Sequence, residues 1–457
     1  GLRVWHKLDR SFLTPRASAC FRLQSPGWSS SPAACALTQL ALRLVEDSLN
    51  EDAYQADVAG LHYSTSPEGR AGVELKVEGF SHRLPLLALR LVRTLAAATF
   101  PGAAWGNVHE VLCRKYRNSC MQVDKHANYQ RLFALTAGSW HWQEVAAALE
   151  EAREEQVAHH VQQALASCHL EVLVTGNMER GEALALAAQA QQAVGGGCSL
   201  AGAGRDSDCC LQLPPGKGLR HVQVTRNAEE ENCAVEVYFQ VGPSGDPVQR
   251  ALLDLADQVL GEPAYNTLRT QEQLGYTVQL GARLTHGVLG LCGLIVSASH
   301  PPLHLEQRLD AFLNAFYDKL QGLSDEEVGR HKAALTANKL QRDRSLAEEA
   351  GRHWDAIWST LYEFFAREAE VAALTSVTRD MLCAWYVEHL LPGSPTRRKL
   401  AVHILPAKDC PASGVAAAQP ALGTDSADAV NIPDLAAFKA TCDRLPVRRG
   451  TLPPLAA

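Results

Sequence analysis

The sequence lacks the features that mark several common classes of protein. Its 43 Lys and Arg residues are outnumbered by 50 Asp and Glu residues, for a formal net charge of −7, and no basic stripe of the kind that neutralises phosphates is present. No apolar run is long enough to span a bilayer, and no secretory leader precedes Leu2. These absences argue against nucleic-acid binding and membrane insertion. Because the chain opens on Gly1 rather than Met, we expect a fragment or a processed product.

Cysteine is present without a pattern. The 13 cysteines are an odd number at irregular spacings, and none forms a Cys-x-x-Cys pair. The one adjacent pair, Cys209-Cys210, cannot connect distant segments. The sequence also contains no Asn-x-Ser/Thr acceptor for glycosylation. Together these observations predict reduced thiols and a cytoplasmic location.

The sequence also lacks the zinc motif H-x-x-E-H, which would place two histidines and a carboxylate on one face of a helix. His141-Trp142-Gln143-Glu144 is followed by Val145 where the second His would have to stand, and Trp385 takes the place of the first His before Glu388-His389. The adjacent His159-His160 point to different sides of a helix. We therefore expect no metal on this chain and interpret these histidines as surface or helix-packing residues.

A duplication organises the chain, which at 457 residues is too long for one ordinary core. Leu49-Asn50-Glu51-Asp52-Ala53-Tyr54 recurs as Leu260-Gly261-Glu262-Pro263-Ala264-Tyr265. Each copy is then followed by a Gly and a Tyr. These are Gly60 and Tyr63 in the first copy, and Gly275 and Tyr276 in the second. Two copies of one domain are the simplest account.

Alternating strands and helical stripes predict the fold class. Val235, Val237, Phe239 and Val241 alternate with Glu236, Tyr238 and Gln240, and the stretch from Val73 to Glu78 alternates in the same way. A helical stripe follows from Leu305 to Leu320, and Ser324 with Glu327 forms a capping box for the next helix. We predict an α+β protein of two homologous sandwiches, each an antiparallel sheet with helices on one face and solvent on the other.

The predicted domain boundaries follow composition. We assign residues 1–194 to the first domain, 195–215 to a linker, 216–407 to the second domain, and 408–457 to a loop and a C-terminal helix. The Gly-rich run at 195–208 has a phosphate-binding loop as its alternative interpretation. No strand enters that run and no Lys-Ser/Thr follows it, so the pattern favours a linker.

Several segments resemble one family over nearly the whole chain. The stretch from Glu262 to Val278 is similar, almost residue for residue, to a segment of the pitrilysin-type inverted-zincin metallopeptidases, which include insulysin and nardilysin. The stretches Ala53 to Leu61, Gly79 to Leu87 and Ile432 to Pro446 look closer to nardilysin than to insulysin. The resemblance implies the C-terminal half of such an enzyme, with the zinc bound by the absent N-terminal half.

The resemblance also implies site residues. In the family, the residues that match Arg269 and Tyr276 face the catalytic chamber, where the Tyr would donate to a developing oxyanion and the Arg would hold a substrate carbonyl or carboxylate. The structural alternative is that Arg269 caps carbonyls of its own helix and Tyr276 fills a hairpin edge. The first copy has Tyr63 but carries Asp57 and Val58 at the Arg269 spacing, so its expected role is structural.

The implied function is the non-zinc, substrate-binding and chamber-closing half of a metalloendopeptidase. The implied partners are a zinc-bearing half, on the same full-length chain or on a separate subunit, and peptide substrates, with basic cleavage sites as one option. A second copy of the chain is a further candidate partner. Two other functions remain open at this point: an inactive peptide-binding or scaffold protein, and a non-catalytic partner subunit of a separate peptidase.

Overall fold

The computed structural model describes residues 1–68, 72–100, 103–195, 209–407, 429–445 and 450. They form two compact units, neither of which is continuous along the chain. The first unit contains the described parts of 1–119, 138–208 and 342–358, and the second those of 120–137, 209–341 and 359–457. Most of the predicted linker and of the predicted loop at 408–428 lies outside the described residues, so the predicted domain boundaries stay a prediction.

The strands of the described residues are β1 (Leu2–Leu8), β2 (Arg16–Gln24), β3 (His62–Glu68), β4 (Gly72–Phe80), β5 (His169–Gly176), β6 (Gly218–Val224), β7 (Cys233–Pro243), β8 (Thr277–Thr285), β9 (Val288–Ser297), β10 (Lys399–Leu405) and β11 (Ala429–Asn431). The α-helices are α1 (Pro32–Ser48), α2 (Asn50–Val58), α3 (Leu84–Ala97), α4 (Trp105–Arg117), α5 (Val123–Leu135), α6 (Trp142–Glu150), α7 (Glu154–Ala166), α8 (Arg180–Val194), α9 (Pro247–Ala264), α10 (Pro302–Gln321), α11 (Asp325–Lys339), α12 (Leu346–Trp358), α13 (Ala366–Ser376), α14 (Arg379–His389) and α15 (Leu435–Thr441). Among them, no helix combines the length and the apolar character needed to cross a membrane.

The two units contain sheets of the same topology. The strand order is β1-β5-β2-β4-β3 in the first and β6-β10-β7-β9-β8 in the second, where β11 adds a strand beside β6. The duplication and the α+β class are therefore confirmed. In each copy the last strand inserts beside the first and runs parallel to it, and the other pairs of the shared five-strand order are antiparallel. Each sheet is thus mixed rather than wholly antiparallel, because the helices between those strands allow a crossover.

The apolar side of each sheet packs on a helical layer. In the first unit Val73, Leu75 and Val77 of β4 are buried with residues of α1, α3 and α8. In the second, Val237 and Phe239 of β7 are buried with residues of α9, α10 and α14. The strand alternation seen in the sequence correctly identified these core-facing residues.

The expectation that each sheet has a solvated second face is wrong. Glu236, Tyr238 and Gln240 of β7 are buried, because α5 packs on that face and the Arg131 guanidinium donates to the Glu236 carboxylate at 2.9 Å. In the first unit α12 packs on β2 and β5, and the Trp354 indole donates to the Glu74 carboxylate. Alternation shows which residues share a face, but it cannot show that a helix distant in sequence covers them.

Those two covering helices come from opposite copies. By sequence α5 lies in the first copy, between α4 and β5, yet it belongs to the second compact unit. By sequence α12 lies in the second copy, between α11 and β10, yet it belongs to the first. Each sheet is therefore covered on its polar face by a helix that the other copy supplies.

Two local sequence signals can be compared directly with the structure. The capping box at the start of α11 is confirmed, since the Ser324 hydroxyl accepts the Glu327 N–H at 3.2 Å and the Glu327 carboxylate accepts the Ser324 N–H at 2.9 Å. A hairpin turn joins β8 to β9, with His286 and Gly287 at φ 46° and 76°. The predicted C-terminal helix near Leu435 to Arg444 is shorter and ends at Thr441.

Candidate functional site

The candidate site lies at the junction between α9 and β8 in the second unit. The α-helical hydrogen bonding of α9 ends at Ala264, and Tyr265–Gln271 continues it as a π-helix. Pro263 lies next to this change and has no N–H to donate to the carbonyl four residues back, which interrupts the α-helical ladder. Turns of π-helix are rare and occur frequently at functional sites.

The backbone reverses sharply after the π-helix. The Glu272 N–H donates to the Thr267 carbonyl at 2.9 Å, and the Leu274 N–H donates to the Leu268 carbonyl at 3.0 Å. Between them Gln273 has φ 52°, in the left-handed region that costs a non-glycine residue about 1–3 kcal/mol. The surrounding hydrogen bonds hold this conformation in place.

Gly275 follows the reversal because no other residue fits. A Cβ atom at this position would lie 2.0 Å from the carbonyl oxygen of Val296 on β9, far inside a normal contact. The chain therefore passes directly over the backbone of β9 and then enters β8. The strand begins at Thr277, directly after Tyr276.

Side chains also anchor this segment to the unit. Leu268 and Leu274 are buried in the apolar core, and the Glu272 carboxylate accepts two hydrogen bonds from Arg308 on α10, at 2.8 Å to Nε and 2.7 Å to Nη2. These bonds lower the pKa of Glu272, so the pair is ionised at neutral pH. The sequence analysis missed Glu272 and Arg308, which only the tertiary structure brings together.

Arg269 projects from the π-helix and is half-buried. Its Nε is buried without a hydrogen-bond partner, and within the described part of the chain no carboxylate or carbonyl binds the guanidinium. The alternative in which Arg269 caps carbonyls of its own helix is therefore not found. A buried donor without a partner costs free energy, and a ligand carbonyl or carboxylate would satisfy it.

Tyr276 is 62% exposed, and its hydroxyl has no hydrogen-bond partner among the described residues. Partial burial and the negative charges of Glu230 and Asp124 raise its pKa above the ordinary value, so the phenol is neutral at pH 7 and can donate a hydrogen bond. No hydrogen bond joins Tyr276 to Arg269. The structure places the two side chains at either end of one anchored segment, and both keep their donors available.

The corresponding junction of the first copy is different. Tyr63 lies on β3, half-buried, with its hydroxyl 3.5 Å from the Glu46 carbonyl. Burial, with the nearby charges of Glu46 and Asp52, raises the pKa of Tyr63 to about 12. Asp57, which stands at the Arg269 spacing, pairs with His62 at 2.7 Å. This copy has no arginine at the Arg269 spacing, and its strand tyrosine, Tyr63, is half-buried rather than exposed.

The near-matches to a metal motif have structural roles. His141 is the N-cap of α6 and forms a capping box with Glu144. His160 is buried and bonded to the Thr38 hydroxyl at 2.7 Å, and His389 is buried at the end of α14. In the described ranges, no three His, Cys, Asp or Glu side chains converge to hold a metal ion. The described residues therefore do not bring together the donor set that a zinc ion needs.

Comparison with known proteins identifies the related family. Residues 1–148 match the family described as the middle or third domain of peptidase M16, and residues 255–354 match the family described as PQQ synthase PqqF-like, C-terminal lobe domain 4. The insulin-degrading enzyme of Homo sapiens is 29% identical over 447 residues, which cover 95% of this chain and 43% of that protein. A nardilysin-like protein of Arabidopsis thaliana is 32% identical over 407 residues, covering 88% of this chain and 39% of that protein.

A protein of Schizosaccharomyces pombe whose name describes a zinc protease is 27% identical, covering 88% of this chain and 42% of that protein. The chain therefore spans less than half the length of these relatives. Among solved structures, pitrilysin superposes with a TM-score of 0.82 at 19% identity, covering 98% of this chain and 46% of pitrilysin. A peptidase M16 inactive domain from Pseudomonas fluorescens has a TM-score of 0.67 at 15% identity, covering 88% of this chain and 95% of that domain. These superpositions confirm the fold.

Proposed function

We propose that this chain, whose residues 1–148 match the third domain of peptidase M16, is the substrate-binding, chamber-closing part of a zinc metalloendopeptidase. One observation carries the proposal. Arg269 and Tyr276 present unpaired hydrogen-bond donors from a segment whose backbone is tightly anchored. Donors that are held in place and left unpaired are what stabilisation of a bound peptide requires.

Each residue has a distinct role in this proposal. The Tyr276 hydroxyl donates to the oxygen of the scissile carbonyl as negative charge develops on it, and one such donor contributes about 3–4 kcal/mol of transition-state stabilisation. The Arg269 guanidinium holds a neighbouring carbonyl or carboxylate of the peptide before and during the reaction. Zinc, bound by a separate zinc-bearing half, would supply the activated water.

The proposal extends to substrates, partners and location. The substrates are peptides, with basic cleavage sites as one option, and the partner is the zinc-bearing half, on the same full-length chain or on a second subunit. We place the protein in the cytoplasm because its cysteines follow no disulfide pattern. Burial raises the pKa of the Cys20 and Cys210 thiols to about 12, so these side chains are protonated and unreactive.

A second candidate function is an inactive peptide-binding scaffold or a non-catalytic subunit of another peptidase. The lack of a metal-ligand set in the described residues is compatible with both functions, which differ in whether the chain contributes to turnover. On this alternative, Arg269 and Tyr276 bind peptide but change no rate.

The test compares the isolated chain with the chain assembled with a zinc-bearing half, using a quenched-fluorescent peptide and metal analysis after dialysis. The isolated chain should hold no stoichiometric zinc and show no turnover. In the assembly, Arg269→Ala should raise KM and lower kcat, because the contact forms in the ground state and persists. Arg330→Ala, which removes an exposed arginine of α11 in the same unit, is the control.

Unchanged kinetics in the Arg269→Ala assembly, with folding intact, would favour the scaffold alternative. Chelator-sensitive turnover by the pure isolated chain would overturn the proposal altogether.

A further inference from the structure

We propose that Arg308 is a positioning residue: through Glu272 it orients the segment that presents Arg269 and Tyr276. This inference rests on the proposed function, because it assigns those two residues to substrate binding. Glu272 lies between them, directly after the π-helix, and its partner Arg308 projects from α10. Arg308 itself is not assigned any contact with substrate.

The contact has the geometry that fixes orientation. Nε and Nη2 of Arg308 donate to different oxygens of Glu272, at 2.8 and 2.7 Å, so two bonds join the planar guanidinium to the planar carboxylate. One bond would leave the carboxylate free to rotate, whereas two do not. The side chains of Arg308 and Glu272 are 39% and 22% exposed, so solvent competes only in part for these bonds.

Local backbone hydrogen bonds hold the shape of the reversal itself, but the remaining anchors do not fix how the segment is oriented on the rest of the unit. Leu268 and Leu274 are buried, but apolar burial is non-directional and tolerates sliding. Gly275 permits the close approach to β9 without creating an attraction. Arg269 and Tyr276 make no hydrogen bond to described residues, so they cannot orient themselves.

The duplication provides an independent observation. Ser81-His82 is followed after seven residues by Arg90-Leu91, and Ser299-His300 is followed after seven residues by Arg308-Leu309. The two arginines therefore occupy the same position on α3 and α10. Each contacts the segment that follows the first long helix of its own copy, since the Arg90 Nε donates to Asp52 of α2 at 3.1 Å.

The two arginine contacts differ in strength. The Arg90 contact is a single bond between side chains that are 63% and 45% exposed, whereas the Arg308 contact is bidentate and more buried. Exposed single pairs contribute little to stability. The arginine anchor thus occurs in both copies, and it is tighter in the copy that carries Arg269 and Tyr276.

Loss of this anchor should affect kinetics more than folding. In Arg308→Gln the unit keeps its apolar core, but Glu272 loses the fork and the segment can shift. A displacement of about 1 Å at a positioned group can lower the rate about a hundredfold. We therefore expect kcat/KM of the assembled enzyme to fall by about ten- to a hundredfold, mostly in kcat, with the second unit still folded.

The experiment combines hydrogen exchange on the full chain with peptide kinetics on the assembled enzyme. In Arg308→Gln the Glu272 and Leu274 amides, which donate to Thr267 and Leu268, should exchange faster. Exchange of the charges in Glu272→Arg with Arg308→Glu should restore both the protection and much of the activity. Arg308→Lys should restore little, because an ammonium group lacks the fork. Arg90→Gln is the matched control and should change neither readout.

Two results would overturn the inference while the proposed function stands. The first is unchanged exchange at Glu272 and Leu274 in Arg308→Gln. The second is faster exchange with normal kcat/KM, in an enzyme that Arg269→Ala or Tyr276→Phe does impair. If neither of those two variants changes the kinetics, the proposed function fails, and the assignment of Arg308 fails with it.

Discussion

The first and second copies share a sheet topology but differ at the junction between helix and strand. In the first copy α2 is an ordinary α-helix, Asp57 is paired with His62, and Tyr63 is half-buried. In the second, the junction is a π-helix that leaves Arg269 unpaired and Tyr276 exposed. The two copies therefore differ at this junction, although the strand order of their sheets is the same.

Stability explains why the divergence is confined to the junction. The strand order is maintained by many buried apolar contacts on each strand, and a change in any of them costs about 1–5 kcal/mol. Exposed junction residues contribute little to folding, so they are free to change. A duplicated scaffold can therefore keep one copy structural and acquire substrate contacts in the other.

The largest effect is expected at the helices that cover the polar faces of the sheets. Arg131 pairs with Glu236 in the second unit with both side chains buried, whereas Lys7 pairs with Glu349 in the first with the lysine 39% exposed. Arg131→Met should cost about 3–5 kcal/mol because it leaves a buried carboxylate without its cation. Lys7→Met should cost less, about 1–3 kcal/mol, because Glu349 is buried but solvent reaches the position of the lysine. Urea unfolding measures both.

A double variant, Arg131→Met with Glu236→Leu, should recover much of the loss, because no buried charge remains. Equal costs for the two single variants would show that the two covering helices are held in the same way.

The second prediction compares the two junction tyrosines in the assembled enzyme. Tyr276→Phe should lower kcat by about 10²–10³-fold with little change in KM, since its hydrogen bond forms mainly in the transition state. Tyr63→Phe removes a hydroxyl that is 3.5 Å from a backbone carbonyl of its own unit, and kcat should not change. Steady-state kinetics of both variants with the same peptide substrate measures these two values of kcat. A similar loss in both variants would mean that Tyr276, like Tyr63, acts on folding.

The third prediction concerns two glycines of the second copy. A Cβ at Gly275 meets the Val296 carbonyl, so Gly275→Ala should destabilise the second unit by about 1–3 kcal/mol through overpacking. Gly261 in α9 has open space around it, and Gly261→Ala should stabilise that helix by about 0.5–1 kcal/mol. Thermal unfolding of both variants gives the sign of each effect. If Gly275→Ala is neutral, the segment before β8 does not approach the backbone of β9 as closely as described.

The smallest effect is a pH dependence in the first unit. Burial, with the neighbouring His159, lowers the pKa of His160 from 6.5 to about 4. As the pH falls, His160 is protonated in the unfolded chain before it is protonated in the folded one. The stability that neutral His160 contributes above pH 6.5 is therefore lost as the pH falls towards 4. His160→Gln should reduce the loss between about pH 7 and 5.5 by about 1 kcal/mol. Unfolding curves at both pH values test this, and an unchanged pH slope in the variant would exclude His160 as its source.

The candidate site residues were predicted from the family resemblance and not from hydrophobic periodicity. The stretch around Arg269 and Tyr276 was identified from its residue order, and the structure places both side chains on one anchored segment with their donors free. Their roles towards substrate stay a prediction. Periodicity did not reveal the π-helix, because the same residues are compatible with an α-helix and the change depends on how the hydrogen bonds close.

Glu272 and Arg308 show why part of the site was missed. They stand 36 residues apart in sequence, and each is an unremarkable polar residue on its own element. The recurring Ser-His and Arg-Leu spacing was available in the sequence as a signal. It has a physical meaning only once α3 and α10 are known to follow equivalent strands, β4 and β9, of the two sheets.

The sequence by itself determined the local and repeated features: the duplication, the core side of each strand, the capping box of α11 and the glycine before Tyr276. These depend on residues close in the chain, where spacing and backbone sterics decide the outcome. The tertiary structure alone decided which helix covers each polar face. Arg131 and Glu236 are 105 residues apart, and no local pattern encodes that a helix of one copy completes the unit built by the other. Burial of those charges depends on that packing, because a polar residue is solvated or paired according to what lies above it.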